Sequence, residues 1–243
     1  MIDRMELSAK ALLLREKYGE DSSSPVNIFS MVSSKDNLTI VFYPMGKNIS
    51  GMCLKNEPSN IIAINSSMTL GRQRFSMAHE LYHLEYDDNM RSICGVQIGS
   101  GNETEKKADI FASYFIMPSV AVQRLKQSGS VSIEDVIWLE QTYGMSHQAT
   151  LIRLKEEKAI TDGQFRNWQT TSVSKLAKSL GYDSKLYQPS PEDEQYKTLG
   201  RYIAQANLAL EEGLISDGKY EELMLDAYRP DLVYGDDGGY IND

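Results

Sequence analysis

Two of the chain's three histidines stand in FSMAHELYHLEYDD, residues 75–88, with Glu80 between His79 and His83. On an α-helix, residues four apart share a face and lie about 6 Å apart along the axis. Both imidazoles can therefore aim a nitrogen at one point. Zinc takes nitrogen ligands at about 2.0–2.1 Å, so this pair supplies half of a tetrahedral site. Glu80 follows the first of them and can lean towards the open metal position. There a carboxylate can take a proton from water and later give it to a leaving amine. This is the H-E-x-x-H pattern of metalloproteases. It arises by chance in roughly one chain in a hundred of this size, so a third ligand at a suitable place decides its weight.

The stretch ETEKKADIFASYF, beginning at Glu103, reads as the next helix. Glu105 and Asp109 are four apart on it and share a face. Glu105 can be the third zinc ligand. Asp109 can accept a hydrogen bond from the far nitrogen of a zinc-bound histidine and fix its tautomer. Glu103, Glu85, Asp87 and Asp88 are rival carboxylates, the last two also readable as simple helix-end residues.

Taken together, RFSMAHELYHLEYDD and ETEKKADIFASYFIMP resemble the ImmA/IrrE metallopeptidases. That family's pattern is a helical H-E-x-x-H, then E-x-x-A-[ND]-x-F-A and a Met-Pro. Here the second part reads Glu105, Ala108, Asp109, Phe111, Ala112 and Met117-Pro118. Thermolysin-like gluzincins share the E-x-x-x-D geometry. The resemblance covers roughly residues 1–155. It implies zinc bound by His79, His83 and Glu105, Asp109 behind them, and Glu80 as the catalytic base. It also implies a protein substrate, typically a helix-turn-helix repressor of a mobile element or stress operon. Two positions depart from many relatives: Tyr82 stands where they carry Gly, and Asp87 where they carry a further histidine.

Other candidates read more plainly. His147, in GMSHQATLIRL, is expected to be an ordinary polar residue near a helix start rather than an oxyanion donor. Tyr82, Tyr86 and Tyr114 read as core aromatics with a wet hydroxyl. Cys94 and Cys53 read as small buried residues, although a thiolate is also a good zinc ligand. The segment SIEDVIWLEQTYGMSHQATLIRLKEEK reads as helix, turn, helix. Residues 116–170 hold six Lys+Arg and six Asp+Glu, so no basic footprint marks it as a DNA reader.

The elements that must position these residues follow from periodicity. Residues 2–18 read as an amphipathic helix. NLTIVFYPMG, ISGMCLK and NIIAINSS read as three strands of a small antiparallel sheet. Thr69 can cap a helix over about 70–86, SICGVQI can add a strand, and Ser119, Ser132 and Ser146 each precede helical patterns. EDEQYKTLGRYIAQANLALEEG and SDGKYEELMLDAYR read as further helices, and GDDGGYIND as a fraying end.

The expected fold is α+β: a small antiparallel sheet packed on the zinc-binding helix, with a helical C-terminal extension. The expected division is a peptidase domain over 1–160 and an acidic extension over 161–243, with a linker at 183–193.

The chain has 243 residues and a net charge of −9. Residues 1–182 balance 20 basic against 20 acidic groups, whereas 183–243 hold 5 against 14. That tail argues against a phosphate backbone as partner and for a basic protein surface or plain solvation. No apolar run approaches the ~18 residues of a membrane span, and no export signal is evident. With only two cysteines and no disulfide framework, a cytoplasmic protein is expected.

Overall fold

This computed structural model describes residues 2–127 and 129–235. Helix α1 (Arg4–Lys17) starts at Asp3, whose carboxylate accepts from the Met5 and Glu6 amides. Helix α2 (Ile28–Ser33) leads into strands β1 (Leu38–Tyr43), β2 (Ile49–Leu54) and β3 (Asn60–Asn65). Helix α3 (Leu70–Tyr86), strand β4 (Arg91–Gly95) and helix α4 (Glu103–Ile116) follow. Helices α5 (Ser119–Gln127), α6 (Ile133–Tyr143), α7 (His147–Glu156), α8 (Asp162–Trp168) and α9 (Val173–Ser179) form the helical middle. The chain continues as β5 (Lys197–Gly200), α10 (Arg201–Glu211), α11 (Asp217–Asp226) and α12 (Asp231–Tyr234).

The fold is α+β, as expected, but the sheet is mixed rather than antiparallel. Its order is β4-β2-β3-β1-β5. β1 and β3 run parallel, with Ile40 opposite Ile62, and the other neighbours are antiparallel. β3 inserts between β1 and β2, so the first two strands never form a hairpin. Asn65, 1% exposed at the end of β3, stabilises this detour. Its side chain accepts from the Met45 amide at 3.0 Å and donates to the Ile49 carbonyl at 2.6 Å. Period-two patterning identifies strands but does not say which strand lies beside which.

A second difference lies in the extension. The stretch expected as one helix from Glu192 begins with a 3₁₀ turn and then β5, which pairs with β1. Gly200 makes this possible. Its φ is +82°, and a Cβ there would stand 2.4 Å from the Leu38 carbonyl oxygen. Beyond it, α10 and α11 bury Ile203, Ala206, Met224 and Ala227 in a small cluster of their own. Residues 236–243 of the expected fraying end lie outside the described residues.

Helix α3 is buried around most of its circumference, from Gly71 to Leu84. A helix of that kind belongs at the centre of a fold. It packs on β2 and β3 on one side and on α4 on the other, and α4 in turn packs on α1. Ala108, Phe111, Ala112 and Phe115 form the fully buried seam of α4. Burying each phenylalanine contributes about 1.5–3 kcal/mol. Phe111 stacks on Phe115 and is met by Tyr82 and Tyr86 of α3. This seam fixes the rotation of α4 against α3. It therefore decides which side chains of α4 face the histidines. Among the described residues, no helix is long and apolar enough to cross a membrane.

Candidate metal centre

His79 and His83 share one face of α3 and point their Nε2 atoms at each other across 3.2 Å. Glu105, on the first turn of α4, closes the triangle. Its Oε2 is 3.3 Å from His79 Nε2, and its Oε1 is 3.4 Å from His83 Nε2. Three ligands at zinc–nitrogen or zinc–oxygen distances in tetrahedral array would stand about 3.4 Å apart. Asn102 helps place Glu105 by capping α4: its side chain accepts from the Glu105 amide at 2.9 Å.

The outer nitrogens settle what the inner ones can do. His79 Nδ1 donates to Asp109 Oδ1 at 2.9 Å, and His83 Nδ1 donates to Asp87 Oδ2 at 2.8 Å. Both carboxylates also accept elsewhere, Asp109 from the Gly99 amide at 2.6 Å and Asp87 from the Asn89 amide at 3.1 Å. Ionised carboxylates only accept, so each Nδ1 carries the hydrogen. In a neutral ring, Nε2 is then a bare lone pair. Two such lone pairs and a carboxylate converging on one point repel one another unless a cation lies between them. The donor set therefore fits a metal, and nitrogen with carboxylate oxygen suits zinc.

Electrostatics points the same way. Burial works against charge on His79, yet its hydrogen bonds with Asp109, Cys94 and Glu105 raise its pKa well above the usual histidine value. Burial opposes charge on His83 too, but hydrogen bonds with Cys94 and Glu105 push it up to about 10. The same two histidines hold Glu105 well below the usual carboxylate range. The centre attracts positive charge.

Glu80 is fully buried. Its Oε2 accepts from the Ser92 hydroxyl at 3.2 Å, while Oε1 has no hydrogen-bond partner. Burial raises its pKa. It rests against Gly51 of β2, where a Cβ would come within 2.7 Å of Oε1. A glycine at this point of the sheet gives the carboxylate its room.

All five residues singled out in the sequence thus lie at one place. Two of the rivals are engaged elsewhere: Glu103 pairs with Lys107, and Glu85 with Lys17 and Lys35. His147 is engaged in a separate network, its Nδ1 2.6 Å from Glu140 and its Nε2 2.9 Å from the Trp168 carbonyl oxygen. Tyr82 packs in the core.

Two participants were not expected. Asp87 was read as a rival ligand or a helix-end residue and instead holds His83. The signal was present, since positions 83 and 87 are one turn apart on one face. Cys94 was read as a small buried residue, and it is 1% exposed. Its sulfur nevertheless turns towards the centre. Sγ, the two histidine nitrogens and a Glu105 oxygen all lie within 4.8 Å of one another. A third feature is Arg72, two turns before His79 on the same face. It lies over Phe75, and its Nε and Nη1 are buried without a partner.

With this geometry in place, comparison with known families is informative. Residues 35–155 match the IrrE N-terminal-like domain of the M78 peptidases. The chain belongs to the IrrE-like peptidase family. The matched span runs from just before β1 to the last turn of α7, so it encloses strands β1–β4 and both helices of the centre, and β5 lies outside it. No curated protein matches the chain.

Proposed function

We propose that this IrrE-like chain is a zinc-dependent endopeptidase making a regulated, site-specific cut in another protein. One observation carries the reading: His79, His83 and Glu105 converge at 3.2–3.4 Å beside a buried carboxylate, Glu80, that has one oxygen unpartnered. A structural zinc site has no use for Glu80.

In this reading His79, His83 and Glu105 hold the zinc, and Asp109 and Asp87 keep the two rings in the required tautomer. The metal, when bound, supplies Lewis acidity towards the scissile carbonyl and the attacking water. Glu80 accepts the proton of that water on a carboxylate oxygen and later delivers it to the leaving amine nitrogen. Its burial strengthens it as a base. β4 is an edge strand with Ile93 exposed and Ser92 directed at Glu80. A substrate segment adding to that edge as a further strand would be held by backbone hydrogen bonds, with one amide over the centre. The family resemblance supports a helix-turn-helix repressor as substrate, and a cytoplasmic setting suits one.

A second reading is a regulatory binding protein in which zinc serves structure or sensing. Cys94 favours it, because four protein donors around a metal typify closed sites. Glu80→Gln separates the two. The variant keeps size and polarity but removes the base. It should retain zinc and lose cleavage of a helix-turn-helix repressor substrate by at least ~10². Fragments are read by mass spectrometry. Undiminished cleavage in Glu80→Gln overturns the mechanism, and repressor binding without cleavage by either the wild type or Cys94→Ala favours the binding protein.

A further inference from the structure

We propose that Cys94 is the fourth ligand of the metal and closes the centre, so that the peptidase rests in a latent form. The ligand assignment stands on geometry alone; the latency rests on the peptidase reading above.

Cys94 Sγ lies 4.0 Å from Glu105 Oε1 and belongs to the group of four donor atoms that fit within 4.8 Å. A zinc–sulfur bond of about 2.3 Å in tetrahedral array would place sulfur about 3.5 Å from each nitrogen or oxygen ligand, so a small inward movement completes the shell. A coordinating thiol loses its proton on binding. The fourth position, which a hydrolytic centre keeps for water or substrate, would then be filled by the protein.

The backbone aims the thiol deliberately. Along β4, Ser92 and Cys94 face inward, while Ile93 is 68% exposed. Opposite Cys94 the ladder is irregular: Gly51 pairs with Cys94 and Ile49 with Gly95, leaving Ser50 as an extra residue in β2. The Ser50 hydroxyl serves the carbonyls of Cys94 and Gly95, at 3.3 and 2.9 Å. Bulges of this kind bend a strand and redirect side chains beside functional sites. Gly51, the residue facing Cys94, has no side chain to stand between the sulfur and Glu80. β4 is also an edge, paired among the described strands only to β2. The strand that offers its free side to substrate therefore carries the group that blocks the centre. Turnover begins when substrate or another partner moves β4 and the thiolate leaves.

Cobalt substitution tests the closure without reference to activity. The cobalt-loaded wild type should show a near-ultraviolet thiolate-to-cobalt charge-transfer band, lost in Cys94→Ala and Cys94→Ser and kept in Cys53→Ala. Each variant should still bind about one metal per chain. Azide should leave the visible spectrum of the wild type unchanged and shift that of Cys94→Ala, which has a position to offer. A wild type without the band, a band surviving in both Cys94 variants, or an azide response already present in the wild type overturns the closure. Cys94→Ser guards against a folding defect specific to alanine. Latency is read separately: Cys94→Ala should cleave the repressor faster than the wild type, and an equal or lower rate overturns it. Loss of the peptidase reading would appear instead as cleavage that survives Glu80→Gln, with the cobalt spectra unaffected.

Discussion

Asp87 accepts the Nδ1 hydrogen of His83 at 2.8 Å from one helical turn away, at the C-cap of α3. Asp109 does the same for His79 from a different helix. Each histidine thus has its own carboxylate, and only one of the two was legible as such. Removing an outer-shell partner of this kind usually costs 10–100-fold in metal affinity. Asp87→Ala and Asp109→Ala should each weaken zinc binding by about that factor in chelator competition, and Asp88→Ala should not. Equal affinities for Asp87→Ala and the wild type would remove Asp87 from the centre.

Glu105 bridges both histidines, so its loss should be more severe than loss of either outer carboxylate. Elemental analysis should find about one zinc per chain in the wild type and none retained by Glu105→Ala. Of the rival carboxylates, Glu103 and Glu85 are engaged with lysines, and Asp87 holds the outer nitrogen of His83. Full zinc content in Glu105→Ala would refute the assignment.

Gly51→Ala isolates the base from the metal. The added methyl would stand 2.7 Å from Glu80 Oε1 and 3.2 Å from the Ala63 carbonyl oxygen, so the carboxylate must move. The three atoms nearest that methyl belong to Glu80 and Ala63, not to His79, His83 or Glu105. Zinc content should remain that of the wild type, while cleavage falls towards the ~10² loss expected when a general base is displaced. Normal cleavage in this variant would show that Glu80 needs no fixed place.

The Glu140–His147–Tyr187 network gives a pH-dependent signature. Glu140 is fully buried, and Tyr187 donates to it at 2.9 Å. His147 lies between that carboxylate and the Trp168 carbonyl, two acceptors. Burial resists its charge, but the hydrogen bond and charge of Glu140 raise its pKa. A histidine raised in the folded state contributes fully below its unfolded value of about 6.5, and the contribution fades as pH rises through the folded value. The wild type should therefore exceed His147→Gln in Tm most at pH 6 or below, with the gap narrowing at alkaline pH. A constant gap would show that the ring stays neutral.

The two halves of the candidate site were legible because their spacing is local. His79, Glu80 and His83 sit within one turn, and Glu105 and Asp109 one turn apart on the next helix, so helical spacing groups each set on one face. Cys94 was not legible as a donor. Its direction depends on the Ser50 bulge and on which strand neighbours β4, both set by long-range pairing. The sheet was misread for the same reason: strand patterning exposed β1, β2 and β3, but the insertion of β3 depends on Asn65 bridging Met45 and Ile49. β5 escaped because four residues carry too little periodicity to compete with the helical pattern after them.

The last prediction concerns the acidic tail, which we propose to be a recognition extension that supplies no catalytic group. Its first part is bound to the core. Leu186 is buried, the Ser190 hydroxyl exchanges hydrogen bonds with Gln73, and β5 covers the edge of β1. Truncation after residue 182 removes all three and leaves the β1 edge unpaired, a template for aggregation. That protein should melt earlier and precipitate. Truncation after residue 200 keeps β5 and removes the small α10–α11 cluster whole. It should stay folded and zinc-loaded, yet bind its protein partner less tightly. If the tail steers a basic surface, full-length binding should weaken as salt rises and the shortened chain should show a flatter dependence. Unchanged affinity and salt dependence after truncation at residue 200 would show that α10–α12 merely cap the sheet.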